Sequence, residues 1–235
     1  MVRDLIYPPG CELCGDEPDA SYWHLCGACL ASFPKVEPPF CERCGEVFEG
    51  AVEAATIRCG NCAGRNYRFA FARAAYRADG DVRELIHRFK YGRRQYLRRA
   101  LGGMLADAFA ADDRLAGDWT LVPVPLHHRR QREREFNQAR ELCLVLAAQR
   151  AMPVADCLRR TRYTSQQARL TRQQRRDNLK RAFALPPRFK GCFAGKSVLL
   201  VDDVFTTGTT ADACARLLLR IGKAERVAVL TVARG

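Results

Sequence analysis

The sequence predicts an α/β fold built on a parallel sheet flanked by helices, with a small cysteine-rich module in front of it. Eight of the twelve cysteines lie before residue 63, whereas the second half of the chain alternates strand-like and helix-like patterns. A β-α-β order of this kind is typical of a parallel sheet covered by helices. We therefore divide the 235 residues into a cysteine-rich module over 1–64 and an α/β domain over 65–235.

The first part of the α/β domain is predicted to contain one strand and two helices. Aromatic residues alternate with other residues over 67–71, which indicates a strand. After the turn 79–81, apolar residues recur with helical spacing over 82–89, and Asp81 is the expected N-cap of this helix. A second helical pattern spans 97–108.

Strands and helices are predicted to alternate through the rest of the chain. Prolines end a short strand within 119–125, and an apolar stripe over 139–147 predicts a helix. The apolar run 197–201 is typical of a strand that is buried on both faces. A helix over 210–221 then precedes a last strand over 227–232, which completes the β-α-β order.

Four C-x-x-C pairs dominate the cysteine-rich module, which cannot bury much apolar core of its own. Two pairs supply the four thiolates of a closed tetrahedral zinc site, so the eight cysteines suffice for two structural Zn²⁺ ions. The alternatives are a redox dithiol, which usually stands alone before a helix, and an iron–sulfur cluster. Spacing leaves the pairing open, and we favour the first pair with the second and the third with the fourth. The expected zinc ligands are Cys11, Cys14, Cys26, Cys29, Cys41, Cys44, Cys59 and Cys62.

Charge is distributed unevenly along the chain, whose net charge is +13. Residues 1–62 carry four Lys/Arg and ten Asp/Glu, whereas residues 127–181 carry fifteen Lys/Arg and five Asp/Glu. So positive a segment favours a polyanionic ligand, although a solvated surface that keeps the protein soluble is the alternative. Apolar runs are too short to span a membrane, and the first residues do not resemble a signal peptide. We therefore expect a cytoplasmic protein with no membrane insertion.

The most informative pattern is an apolar strand followed by two acids and a hydroxyl-rich loop, VLLVDDVFTTGTT over residues 198–210. Backbone N–H groups at a helix start bind anions, threonine hydroxyls add donors, and Gly208 lets the backbone approach a phosphate closely. Asp202 and Asp203 follow the strand where open α/β sheets bind ligands, and can hold ribose hydroxyls and help to place Mg²⁺. An N-capped helix after an acidic turn is the simpler alternative. The expected loop residues are Thr206, Thr207, Gly208, Thr209 and Thr210.

This stretch resembles the motif with which type I phosphoribosyltransferases bind 5-phosphoribosyl 1-pyrophosphate (PRPP). A Walker loop would instead contain Gly-Lys followed by Ser or Thr. The resemblance implies a phosphoribosyltransferase-like sheet, a PRPP site that works with Mg²⁺, and Asp202 and Asp203 as the catalytic residues.

Further blocks resemble the ComF family of competence proteins. They are LIHRFKY at 85–91, VPVPLH at 122–127, FNQA at 136–139 and RTRYTSQQ at 160–167. With the cysteine-rich module, the resemblance covers nearly the whole chain. Two positions depart from it, because Glu135 stands where the family usually has Gly and Phe89 where Leu is usual.

The resemblance also assigns two further segments to the site. One follows the first core strand and would bind pyrophosphate, and the other is a flexible loop that would close over the ligand and exclude water. Its arginines would neutralise the departing pyrophosphate, although a surface that contacts nucleic acid is an alternative for this stretch. The expected residues are Pro123, Val124 and Pro125 in the first segment, and Arg160, Arg162, Thr164 and Gln167 in the second.

Two functions compete at this point. The first is Mg²⁺-dependent transfer of ribose 5-phosphate from PRPP to an acceptor nitrogen. The second is a non-catalytic module that senses PRPP or a nucleotide and binds single-stranded DNA. The resemblance implies a link to DNA uptake in natural transformation, with a helicase and a recombination mediator as partners. Few aromatic residues interleave the arginine-rich run, which weakens the case for a base-stacking surface.

Overall fold

The computed structural model of the protein describes residues 10–48, 58–162 and 182–235. Within these ranges no helix is both long enough and apolar enough to cross a bilayer. The strands are β1 (Ala72–Arg77), β2 (Thr120–Pro123), β3 (Arg159–Arg160), β4 (Phe183–Ala184), β5 (Ser197–Phe205) and β6 (Arg226–Arg234). The α-helices are α1 (Gly27–Ser32), α2 (Gly80–Tyr91), α3 (Arg98–Ala110), α4 (His128–Arg134), α5 (Gln138–Arg150) and α6 (Thr209–Arg220).

The main sheet is parallel throughout, in the order β1-β6-β5-β2, so the predicted fold class is confirmed. Its central strand β5 is buried on both faces. Leu199 and Val201 belong to the core that includes residues of α2, α3 and α5, whereas Val198 and Leu200 belong to the core that includes residues of α6. The apolar run at the start of β5 exists because helices cover both faces of the strand.

Two local predictions are wrong in detail. The first strand begins at Ala72, after the alternating aromatic residues of 67–71 rather than at them. The N-cap of α2 is Asp79, whose carboxylate accepts a hydrogen bond from the backbone N–H of Gly80. Asp81 lies instead in the first turn of α2, where its negative charge faces the positive end of the helix dipole.

The cysteine-rich module covers the outer edge of the sheet. Strand β1 is an edge strand, and the N–H of Val36 donates to the carbonyl of Ala75 over 3.0 Å. Further along, the N–H of Ala72 donates to the carbonyl of Arg43 over 2.9 Å. An exposed strand edge would be open to pairing with another chain, and these contacts cover it. The boundary between residues 64 and 65 stays a prediction.

Candidate functional site

The eight paired cysteines form two separate clusters. The sulfur atoms of Cys11, Cys14, Cys26 and Cys29 lie within 4.8 Å of one another, and so do those of Cys41, Cys44, Cys59 and Cys62. We call these the first and the second quartet. The pairing of neighbouring C-x-x-C motifs is therefore confirmed, and each quartet has the four-sulfur donor set that structural zinc requires.

One thiol in each quartet has a lowered pKa. Burial opposes ionisation of Cys41, but backbone hydrogen bonds from Cys59, Cys44 and Arg43 outweigh it and lower its pKa to about 7. Similar backbone hydrogen bonds outweigh burial at Cys11 and lower its pKa to about 6. One thiol of each quartet therefore ionises more readily than an ordinary cysteine. Burial raises the pKa of other thiols in both quartets, Cys44 among them, so their thiolates would depend on the charge of the metal itself.

The threonine-rich loop joins β5 to α6 at the carboxyl edge of the sheet. Strand β5 ends at Phe205 and α6 begins at Thr209, so residues 206–208 form the turn. With Asp202 and Thr231, the loop lines a cavity of about 60 Å³, a size suited to a phosphate group. The N-terminus of α6 adds backbone N–H donors and the positive end of its dipole, which suits the cavity to an anion.

Gly208 is required at this position by its backbone conformation and by packing. Its φ is +70°, and a Cβ built on it would lie 2.7 Å from Cζ of Phe205. We expect Gly208→Ala to lower the free energy of unfolding by about 1–3 kcal/mol, through backbone strain and overpacking. Urea unfolding measures this, with Gly27→Ala as the control because an added Cβ there meets no atom within 4 Å. Equal stability of the two variants would contradict the packing of the loop.

The two adjacent acids face opposite sides of the sheet, because they lie within β5 and not after it. Asp202 lines the cavity of the threonine loop. Asp203 forms an ion pair instead, with Oδ1 2.7 Å from Nζ of Lys90 at the end of α2. Burial, and then the charge of Asp203, raises the pKa of Asp202 to about 7. The positive charge of Lys90 opposes this rise but has a smaller effect, so the negative charge of the Asp202 carboxylate is only partly balanced by the protein.

The predicted pyrophosphate segment lies beside β5 at the same edge. Pro123 ends β2, and the N–H of Val124 donates to the carbonyl of Val201 over 3.0 Å. The side-chain amide of Asn137, which caps α5, donates to the carbonyl of Val124 over 3.2 Å. Pro123, Val124 and Pro125 are all buried, so this segment offers backbone groups rather than side chains to the site.

One of the four residues predicted in the closing loop lies near the acids. Arg160 belongs to β3, which pairs with β4. Burial and the charge of Asp203 raise the pKa of Asp202, and the charge of Arg160 weakly opposes that rise. Arg162 is exposed. Thr164 and Gln167 lie outside the described residues.

Sequence reasoning missed three residues of the site. Lys90 was seen only as part of a family block, and its pairing with Asp203 follows from the fold. Tyr67 and Arg65 both donate hydrogen bonds to the carbonyl of Thr207 in the threonine loop, over 2.8 and 3.2 Å. Their position just after the last cysteine of the second quartet was the one available signal.

The backbone conformation of Glu135 explains why the family usually has glycine at this position. Glu135 ends α4 with a φ of +69°, in the left-handed region where glycine is the least strained residue. Glu135 therefore adopts the conformation for which a glycine at this position is suited.

Comparison with known proteins accounts for both parts of the chain. Residues 2–63 match the double zinc ribbon domain, and residues 139–235 match the phosphoribosyl transferase domain. Competence protein F of Haemophilus influenzae is 31% identical over 89% of this chain and 90% of its own length. DNA utilization protein YhgH of Escherichia coli K12 is 30% identical over 94% of this chain and 95% of its own length. Competence protein ComFC of Bacillus subtilis is 26% identical over 89% of this chain and 84% of its own length. The chain therefore belongs to the ComF family.

Proposed function

We propose that the protein binds PRPP with Mg²⁺ and transfers its ribose 5-phosphate group to an acceptor nitrogen. The observation that supports this most directly is the cavity shared by Asp202 and the threonine loop at the carboxyl edge of a parallel sheet. A cavity of phosphate size with a carboxylate in its wall suits the phosphate end of a ribose 5-phosphate, with the sugar directed toward Asp202. The match of residues 139–235 to the phosphoribosyl transferase domain supports the same ligand class.

Each part of PRPP has a proposed set of residues. The loop from Thr206 to Thr210 would hold the 5-phosphate, and Asp202 the ribose hydroxyls. Asp203 would act together with Lys90, its ion-pair partner, at the same edge. The carboxylates and the pyrophosphate oxygens form an oxygen-rich set that suits Mg²⁺. The pyrophosphate would lie against Pro123, Val124 and Pro125, and the arginines of the closing loop would neutralise its charge. The proposed residues of that loop are Arg160, Arg162, Thr164 and Gln167.

The proposed reaction breaks the bond between C1 of the ribose and the pyrophosphate oxygen and forms a bond from C1 to the acceptor nitrogen. Pyrophosphate leaves with the bonding electron pair, and the acceptor nitrogen loses a proton. Stabilisation of the leaving group by positive charge would supply most of the catalysis. Arg160 lies near this edge. Burial lowers the pKa of His127, and the positive charges of His128, Arg160, Arg129 and Arg130 lower it further.

The second candidate is a module that binds PRPP without turnover and contacts single-stranded DNA. The observation that favours it is α4, which carries Arg129, Arg130 and Arg132 at least partly exposed just after the proposed pyrophosphate segment. The fourth arginine of this helix, Arg134, is buried. The names of two relatives refer to competence and to DNA utilization, and we extend that association to this chain. Under this proposal a helicase and a recombination mediator would be the protein partners. DNA affinity should then fall steeply as salt rises.

We expect PRPP with Mg²⁺ to raise the melting temperature of the protein. At a ligand concentration of 100 times Kd, the added stability is about 2.7 kcal/mol, or roughly 5–10 °C for a chain of this size. Differential scanning fluorimetry measures the shift, and the double variant Asp202→Asn, Asp203→Asn should abolish it. No shift for the wild type would remove the PRPP site.

Release of pyrophosphate separates the two candidates. A panel of purine, pyrimidine and pyridine bases is offered with PRPP and Mg²⁺, and pyrophosphate is detected by a coupled assay. Base-dependent release supports the transferase. A melting shift without release from any base favours the binding module.

A further inference from the structure

The segment that leaves the second quartet is fixed by the quartet itself. The N–H of Ala63 donates to the carbonyl of Cys59 over 3.0 Å, and the N–H of Arg65 donates to the carbonyl of Cys62 over 3.1 Å. These bonds form the turn around the last two cysteines. The turn therefore sets the path of the chain up to Tyr67, five residues after Cys62.

Tyr67 and Arg65 contact the threonine loop directly. The hydroxyl of Tyr67 donates to the carbonyl of Thr207 over 2.8 Å, and Nη1 of Arg65 donates to the same carbonyl over 3.2 Å and to the Tyr67 hydroxyl over 2.9 Å. The ring of Tyr67 also lies against Gly208, with Cε1 3.2 Å from the place a Cβ would occupy. One side of the loop thus rests on residues that the second quartet positions.

The other half of the second quartet holds the same segment. Arg43, between Cys41 and Cys44, donates from its guanidinium to the carbonyls of Tyr67 and Ala70. The ring of Tyr67 stacks on Phe69 with centroids 4.7 Å apart. Both aromatic rings belong to one buried cluster with all four cysteines of the quartet. Movement of the quartet would therefore disturb Tyr67.

Fixing the Thr207 carbonyl also orients a donor for the anion. The peptide unit is planar and trans, so the carbonyl of Thr207 and the N–H of Gly208 point in opposite directions. A carbonyl held by Tyr67 and Arg65 consequently fixes the direction in which the Gly208 N–H is presented at the start of α6. Backbone N–H groups at this place are the donors on which anion binding depends.

We propose that Tyr67 is a positioning residue of the phosphate loop and that it couples zinc in the second quartet to binding of the phosphoribosyl ligand. This inference rests on the proposed function. Because coupling between two binding sites is reciprocal, zinc should strengthen ligand binding and the ligand should strengthen zinc retention. The first quartet contacts another part of the fold, since Glu12 beside Cys11 accepts a hydrogen bond from the hydroxyl of Tyr96 over 2.8 Å.

The test compares Tyr67→Phe with Tyr96→Phe in the full zinc-loaded chain. Each variant loses one hydroxyl, at the threonine loop in the first case and at the first quartet in the second. Calorimetry gives the Kd for PRPP with Mg²⁺, and a chromogenic chelator follows zinc release with and without PRPP. We expect Tyr67→Phe to weaken PRPP binding about 3- to 10-fold, the range for one lost hydrogen bond. Tyr96→Phe should leave the Kd unchanged.

The effect of PRPP on the rate of zinc release tests the coupling directly, because it would not change if Tyr67 had a purely structural role. PRPP should slow the release of one of the two zinc ions from the wild type and from Tyr96→Phe, and should have less effect on Tyr67→Phe. Two results would overturn the coupling and leave the proposed function in place, provided that the wild type binds PRPP. One is an unchanged Kd for Tyr67→Phe, and the other is a rate of zinc release that PRPP does not change. Absence of PRPP binding to the wild type overturns both.

Discussion

Replacing Asp202 by Asn is expected to stabilise the unliganded protein at pH 8, by up to about 4 kcal/mol. The reason is that burial, followed by the charge of Asp203, raises the pKa of Asp202 from 3.8 to about 7. At pH 8 the carboxylate is ionised in a place that disfavours its charge, whereas an amide carries no charge. The same substitution should abolish the melting shift caused by PRPP and Mg²⁺, because the ribose loses its carboxylate partner.

The sign of the pH dependence follows from proton binding. Between about pH 4 and pH 7 the folded protein retains the proton on Asp202, and the unfolded chain has already lost it. The wild type therefore loses stability as the pH rises through this window. Asn does not titrate, so the advantage of Asp202→Asn should be small near pH 4, grow up to about pH 7 and then stay constant. Urea unfolding of both proteins at pH 4.5, 6, 7 and 8 measures this difference in the free energy of unfolding.

Asp203→Asn is the matched control for this prediction. It also removes one carboxylate from β5, but it leaves the ammonium group of Lys90 without the partner that now lies 2.7 Å away. Asp203→Asn also relieves the repulsion of Asp202, but we expect loss of this largely buried ion pair to outweigh that gain. The net effect should be a destabilisation of about 1–2 kcal/mol at pH 8, the opposite sign to Asp202→Asn. An Asp202→Asn effect that is independent of pH, or equal in sign to that of Asp203→Asn, would contradict the assigned environments.

The features that could be predicted from the sequence are those set by local spacing. Neighbouring C-x-x-C pairs are close in the chain, so the pairing that we favoured needs only short connections, although spacing alone had left it open. The strand, turn and helix that form the threonine loop are also contiguous, and their patterns identified them. In both cases the sequence pattern was enough to predict the structure, because short stretches of chain connect the residues involved.

The orientation of the acids was missed because the predicted strand ended too early. An apolar run marks the part of β5 that helices cover, from Val198 to Val201, but hydrogen bonds to β6 continue up to Phe205. Once Asp202 and Asp203 lie on a strand, the alternation of side chains places them on opposite faces. Lys90 and Tyr67 could not be found in this way, because each meets its partner only through contacts between distant parts of the chain.

Loss of a cysteine from the second quartet should have a large effect on stability. All four of its cysteines are buried and share a core cluster with Phe69 and Phe205, so the zinc site also supports the aromatic packing behind the threonine loop. We expect Cys44→Ser to reduce the zinc content from about two to about one per chain and to cost at least about 3 kcal/mol of unfolding free energy. Metal analysis of freshly purified, reduced protein and urea unfolding measure the two effects.

Two further cysteine variants serve as controls for Cys44→Ser. Cys192→Ser removes an exposed thiol outside the quartets and should keep about two zinc ions and wild-type stability. Cys14→Ser should also lose one zinc, but with a smaller loss of stability than Cys44→Ser, because Cys14 is exposed and Cys44 is buried. If Cys44→Ser were as stable as Cys192→Ser, or if the wild type contained no metal, the second quartet would not be the structural support on which the threonine loop depends.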